Sequence, residues 1–182
     1  MTTEQEAYWV WMDLEMTGLE PASDVIIQIA TVITDEHLTE IDSLDLVVWQ
    51  SEEALGRMGP FVRKMHTDNG LLAKVRTSDD NLADAERKTM DLITKYVPYK
   101  KGVLAGNTIW QDRRFLERYM PNIEHYLHYR QIDVSTLKVL CHQWFKQRGM
   151  APQKKATHTA LEDIRASIEE LRFYRENCLI KP

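Results

Sequence analysis

The chain has 182 residues, 43% of them apolar and 28% charged, with 23 Lys+Arg against 28 Asp+Glu for a net charge of −5. That length suits one domain spanning 1–182, and the apolar share supports a sizeable core rather than a disordered chain. The negative balance argues against a protein that coats long nucleic acid, because such affinity comes chiefly from Lys and Arg neutralising phosphates. No apolar run approaches the ~18–20 residues of a membrane span. The start, Met1 to Glu6, lacks the basic end and apolar core of a signal peptide. Cys141 and Cys178 have no CxxC spacing and read as reduced thiols, so a cytoplasmic protein is expected.

The first fifty residues read as strands. Tyr8–Glu15 alternates, with Val10, Met12 and Leu14 on one face and Trp9, Trp11, Asp13 and Glu15 on the other. A turn over residues 16–24 leads to a β-branched run at Val25–Ile33, and a third strand is expected at Leu44–Trp49. From Ser51 the pattern becomes helical. Met90, Ile93 and Val97 lie at helical spacing within 81–97, with Ser78, Asp79 and Asp80 as candidate N-caps. Gly102–Gly106 reads as a short buried strand and Trp110–Met120 as a helix stopped by Pro121. Gln131–Val134 is a further strand candidate, followed by a helix through Gln147. The last helix spans about Ala160–Asn177, with Leu161, Ile164, Ile168 and Leu171 on one stripe. Three early strands followed by βα alternation indicate an α/β fold, a mixed sheet with helices against it.

Three short patterns carry chemistry. Asp13 and Glu15 share a strand face, with Cα atoms roughly 6.6 Å apart. Two carboxylates so placed repel each other and resist burial, and a divalent cation would neutralise them. An isolated DxE reads first as two solvated charges at a strand end leading into a turn. Gly106–Asp112 puts an Asp just after a strand ends, which alone is an ordinary first-turn Asp favoured by the helix dipole. His158 and Asp163 open the last helix; on a straight helix five residues rotate by ~140°, so they converge only if His158 precedes the regular helix. Together these give four carboxylates and one imidazole near element ends, an inventory suited to two-metal phosphodiester hydrolysis. Histidine suits the base because its unperturbed pKa is ~6.5.

This set resembles the DEDDh class of 3′→5′ exonucleases on the RNase H-like fold. More closely, the chain resembles the bacterial oligoribonucleases from about Trp9 to Arg175. The stretches that carry the likeness are Trp11–Leu19, Gln111–Leu116, Tyr119–Pro121, His128–Arg130, Asp133–Lys138 and His158–Arg165. The resemblance implies that Asp13, Glu15, Asp112 and Asp163 hold two Mg²⁺ or Mn²⁺ ions and that His158 is the general base. It implies a substrate of very short RNA: Leu19 wedges between bases, and His66 contacts the substrate. Thr108, Arg130 and Ser135 cap the 5′-phosphate, with the Tyr129–Arg130 region reaching across a homodimer. Closing both ends would measure length, with dinucleotides as the limiting case.

Three positions depart from the family pattern. Gln28 stands where Glu is common, Phe61 where Trp is expected, and Thr108 where Ser is usual. Phe61 still offers a ring for stacking a base, though with less surface. Arg113, Arg114 and Arg118 read either as a solvated helix face or as an offset to the acidic site. His125 and His128 read as surface or interface histidines, since no second pair completes a zinc site. Trp144 and Phe145 read as core or dimer contacts.

Overall fold

The computed structural model describes residues 8–152 and 159–179. Its five-stranded sheet has the order β3-β2-β1-β4-β5. The strands are β1 (Trp9–Met16), β2 (Ile26–Thr34), β3 (Glu40–Val47), β4 (Val103–Gly106) and β5 (Gln131–Asp133). β1, β2 and β3 form the antiparallel meander expected from the early alternation. β4 and β5 add in parallel beside β1. This is the mixed sheet of the RNase H-like fold.

The helices follow the same logic. Three short ones, α1 (Glu52–Gly56), α2 (Pro60–Asp68) and α3 (Leu71–Thr77), cluster against Ile27 through Leu55, Leu71, Leu72 and Val75. Then come α4 (Leu82–Tyr96), α5 (Ile109–Tyr119), α6 (Pro121–Tyr126), α7 (Val134–Phe145) and α8 (Ala160–Asn177). One sheet face, carrying Val10, Met12 and Leu14, is covered by Ala85 and Ile93 of α4, Phe115 and Leu116 of α5, and Ile123 of α6. The opposite face, carrying Trp11, Ala30 and Ala105, is covered by Val134 and Cys141 of α7 and by Ala160, Ile164, Ile168 and Leu171 of α8. The period-2 alternation of β1 thus divides the two cores. Cys141 and Cys178 are free and buried. Among the described residues no helix is long and apolar enough to cross a membrane.

Pro121 does more than stop α5. It occupies the first turn of α6, where its missing N–H costs nothing. Asn81, rather than the preceding Ser-Asp-Asp, caps α4 by accepting from the Asp84 N–H. Ser78 is drawn away because its hydroxyl donates to the Val47 carbonyl.

Gly106 closes β4 where backbone and helix meet. A Cβ there would lie 2.9 Å from the Met12 carbonyl oxygen and 2.8 Å from Ile109 Cδ1. Gly106→Ala is expected to destabilise the protein by about 1–3 kcal/mol, because backbone of β1 must yield. A shift in the urea midpoint at unchanged slope would show it, and an unaltered midpoint would contradict it.

Candidate active site

β1 delivers Asp13 and Glu15 to the face covered by α8. The buried stripe of α8 at Ala160, Ile164 and Ile168 seats its first turns on that face, and Asp163 flanks the stripe. Carboxylate oxygens of Asp13, Glu15 and Asp163 lie within 4.8 Å of one another. Asp112 arrives from α5. Pairing between β1 and β4 ends at Trp11 and Ala105, so the Leu14 N–H lies beyond β4's reach; it donates to Asp112 Oδ1 at 2.9 Å. Asp112 is 6% exposed, which separates it from an ordinary first-turn Asp.

Burial and mutual repulsion shape the electrostatics. The Glu15 carboxyl is pushed up to about 8, chiefly by burial and then by the charges of Asp13 and Asp163. Asp112 is held well above the usual carboxylate range, by burial first and then by Asp13, against the opposing Leu14 hydrogen bond. Acids crowded this way resist ionisation unless a cation joins them. The donor set is all oxygen and fits a hard divalent ion.

His66 belongs to the wall of this cluster. Its ring is buried; Nε2 donates to the Met16 carbonyl at 3.1 Å and lies 3.8 Å from Glu15 Oε2. Burial lowers its pKa, so the ring is neutral and its closeness to Glu15 is not an ion pair. Gln28 lies directly across the β1–β2 ladder from Glu15, and its side-chain amide donates to Asp45 at 2.7 Å. A neutral amide there adds no further charge beside Glu15. His158 lies outside the described residues.

The other candidate contacts divide by exposure. Leu19, Phe61 and Tyr129 are 72%, 81% and 72% exposed, large apolar groups left uncovered. Leu19 sits on a pinned loop. Thr17 Oγ1 and the Glu20 N–H both donate to the Asp24 carboxylate, and the Tyr119 hydroxyl reaches the Pro21 and Asp24 carbonyls. Tyr129 stacks on His128, and Arg130 places its guanidinium 5.5 Å from the Tyr129 ring centre. Thr108 and Ser135 meet hydroxyl to hydroxyl at 3.0 Å.

Some contacts were not read from the sequence. Gln111, beside Asp112, donates to the Leu19 carbonyl at 2.6 Å and so fastens the Leu19 loop to α5. Arg114 takes the same carbonyl and the Gln111 side chain, while Arg113 binds Glu124 and the carbonyls of His128 and Tyr129. These two arginines tie loops down and pair with Glu124 and Glu20 rather than with the carboxylates of the site. Each such contact spans 11 residues or more except Arg114 to Gln111. Only the Gln111-Asp112-Arg113-Arg114 run itself was a signal.

The sheet order and the acidic cluster suit a metal-dependent nuclease, and the family model described as RNase T exonuclease matches residues 10–171. The fold is shared with Escherichia coli exonuclease I bound to a 5cy-dT13 oligonucleotide, at TM-score 0.73 and 18% identity; the match covers 96% of this chain and 42% of that one. The present chain therefore spans about two fifths of exonuclease I. Curated relatives are closer. The oligoribonuclease of Francisella tularensis subsp. tularensis is 47% identical over 171 residues, covering 93% of this chain and 95% of the relative. That of Pseudomonas syringae pv. tomato is 48% identical over 174 residues, covering 95% and 96%. The chain belongs to the oligoribonuclease family, and it is a nuclease, a phosphodiester hydrolase.

Proposed function

We propose that the enzyme degrades very short oligoribonucleotides, with dinucleotides as the limiting substrate, to 5′-mononucleotides by two-metal-ion hydrolysis. The observation that supports this most is the convergence of Asp13, Glu15 and Asp163 oxygens within 4.8 Å, with buried Asp112 beside them. These four carboxylates would hold two Mg²⁺ or Mn²⁺ ions, which when bound supply charge stabilisation at the scissile phosphate and an acidified water. His158 is assigned as the base that takes the proton from water. His66 holds the Met16 carbonyl, next to Glu15, and would meet the substrate only along this wall.

Binding falls to the exposed groups. Leu19 would insert between bases and Phe61 would stack on one. At the 5′ end the backbone N–H groups of Thr108 and Ser135 are both already given to Asp133 Oδ1, at 3.0 and 2.9 Å. Recognition of a phosphate there rests on the hydroxyls of Thr108 and Ser135 and on the charge of Arg130. We further propose a homodimer in the cytoplasm, with Tyr129 and Arg130 reaching a partner subunit. The exposed Val139 and Trp144 of α7 support the pairing, and free buried thiols suit a reducing compartment.

Leu19→Ala should raise KM for a dinucleotide by about 5–150-fold, as expected for a lost base contact of about 1–3 kcal/mol. Phe61→Ala should act likewise. Both side chains are exposed, so each variant should unfold within about 0.5 kcal/mol of the wild type. Unchanged KM in both would remove these residues from the site. The length reading is tested by comparing kcat/KM for a dinucleotide with that for a 20-mer. The dinucleotide should be strongly preferred; preference for the 20-mer would contradict the reading.

A further inference from the structure

Asn107 joins the two ends of this site. It follows β4 directly, and its side chain lies between α7 and α8. Its Oδ1 accepts from the Ser135 hydroxyl at 3.0 Å. Its Nδ2 donates to Ser167 Oγ at 2.7 Å and to Glu170 Oε2 at 3.3 Å. A carboxylate faces the nitrogen, so the amide has only this orientation. Ser167 in turn donates to the Asp163 carbonyl at 2.7 Å, one helical turn back. Ser135 has one proton and gives it to Asn107, so the Thr108 hydroxyl, 3.0 Å away, must be the donor of that pair. A polarised chain therefore runs from Thr108 to Ser135 to the Asn107 oxygen, and from the Asn107 nitrogen to Ser167 to the backbone of Asp163.

Thr108 holds a left-handed backbone, φ 54 and ψ 32, which a β-branched residue adopts only under constraint. Its N–H is fixed by Asp133, and its hydroxyl is fixed by the chain that runs through Asn107. A side chain that serves only as packing would not need both faces of its amide committed to opposite ends of the site.

We propose that Asn107 is a positioning residue that sets the register between the hydroxyls at the substrate's 5′ end and the carboxylate of Asp163. This rests on the reading of Thr108 and Ser135 as 5′-phosphate contacts. No other residue among those described bonds to both Ser135 and Ser167 side chains. A dinucleotide is short enough that a shift at one end misplaces its only scissile bond relative to the other.

The test uses the full-length enzyme with 5′-phosphorylated diadenylate and the same dinucleotide without that phosphate. Mn²⁺ binding is measured separately by electron paramagnetic resonance without substrate. Wild type should prefer the phosphorylated dinucleotide in kcat/KM. Equal use of both by wild type would sink the phosphate-end reading and this proposal with it. With that preference in place, Asn107→Ala should reduce it about 10-fold and raise the half-saturating Mn²⁺ concentration by about 10-fold, the scale of lost support behind a metal ligand. Ser167→Ala cuts only the arm to Asp163; it should raise the Mn²⁺ midpoint and leave the phosphate preference intact. It also keeps the proposal testable should Asn107→Ala fail to fold. A merely structural Asn107 would lower turnover of both dinucleotides equally with the Mn²⁺ midpoint unmoved, and that outcome, or a wild-type Mn²⁺ midpoint in Ser167→Ala, overturns the proposal.

Discussion

Asp112→Asn is expected to abolish RNA hydrolysis while making the metal-free protein more stable. The carboxylate is buried among Asp13 and Glu15, and its ionised form is disfavoured by burial first and by those charges next. An amide oxygen can still accept the Leu14 N–H that Asp112 now takes at 2.9 Å. The substitution therefore keeps the contact that shapes the end of β1 and removes the charge. On the proposed assignment that charge holds a divalent ion, so activity should fall about a thousandfold or more, equivalent to about 4 kcal/mol of transition-state stabilisation. Without metal, melting should rise by about 2–4 °C for each kcal/mol of relieved repulsion. The gain from added Mg²⁺ should shrink in the variant. Near-wild-type turnover would remove Asp112 from the chemistry, and a lower metal-free melting temperature would contradict the electrostatic account.

The second large effect is on pH. The Glu15 carboxyl is pushed up to about 8, and Asp112 also stands above its ordinary range. A carboxyl whose pKa is higher folded than unfolded binds its proton more tightly in the native state. Its contribution to stability is complete below the unfolded value and is lost as pH rises through the folded one. The metal-free protein should therefore lose stability between about pH 4.5 and 8, on the order of 3 kcal/mol or about 6–12 °C in melting temperature. Mg²⁺ favours the ionised carboxylates and should flatten or reverse that slope. Glu15→Gln should flatten it without metal. Melting curves from pH 5 to 8 in chelator and in Mg²⁺ check this, and a metal-free curve that is level or rises with pH would contradict it.

Where periodicity governs burial, the fold was legible in the sequence. The alternation in β1 separates two cores, and α8 runs over Ala160–Asn177 as its apolar stripe predicts. β3 was less legible. It runs over Glu40–Val47, earlier than the apolar residues suggest, because an edge strand with one bare side carries Glu40, Asp42 and Asp45. The short α6 was hidden because Pro121 reads as a stop, although the same ring suits a helix start.

The site divides the same way. Asp13 and Glu15 are visible as a strand-face pair, and Asp112 and Asp163 as acids at helix starts. What no local pattern shows is that Asp112 satisfies the Leu14 N–H 98 residues away, or that Asn107 reaches Ser167 across 60 residues. Hydrogen bonds of that span depend on how β4, α5 and α8 meet, and a single sequence carries no period for them. His66 shows the converse. Its family likeness suggests substrate contact, while its ring is buried beside Glu15 with its Nε2 on the Met16 carbonyl.

The −5 of the sequence is compatible with this chemistry. A short RNA carries few phosphates and releases few counterions, so it needs no broad basic surface. The central claim is metal-dependent removal of nucleotides from the 3′ end of short RNA. The most direct measurement is a timed digestion of a 5′-labelled pentaribonucleotide in Mg²⁺ and in chelator. The account predicts labelled tetramer, trimer and dimer in turn, then labelled mononucleotide, in Mg²⁺, and no product in chelator. Labelled mononucleotide as the first product, or cleavage that persists in chelator, would contradict it.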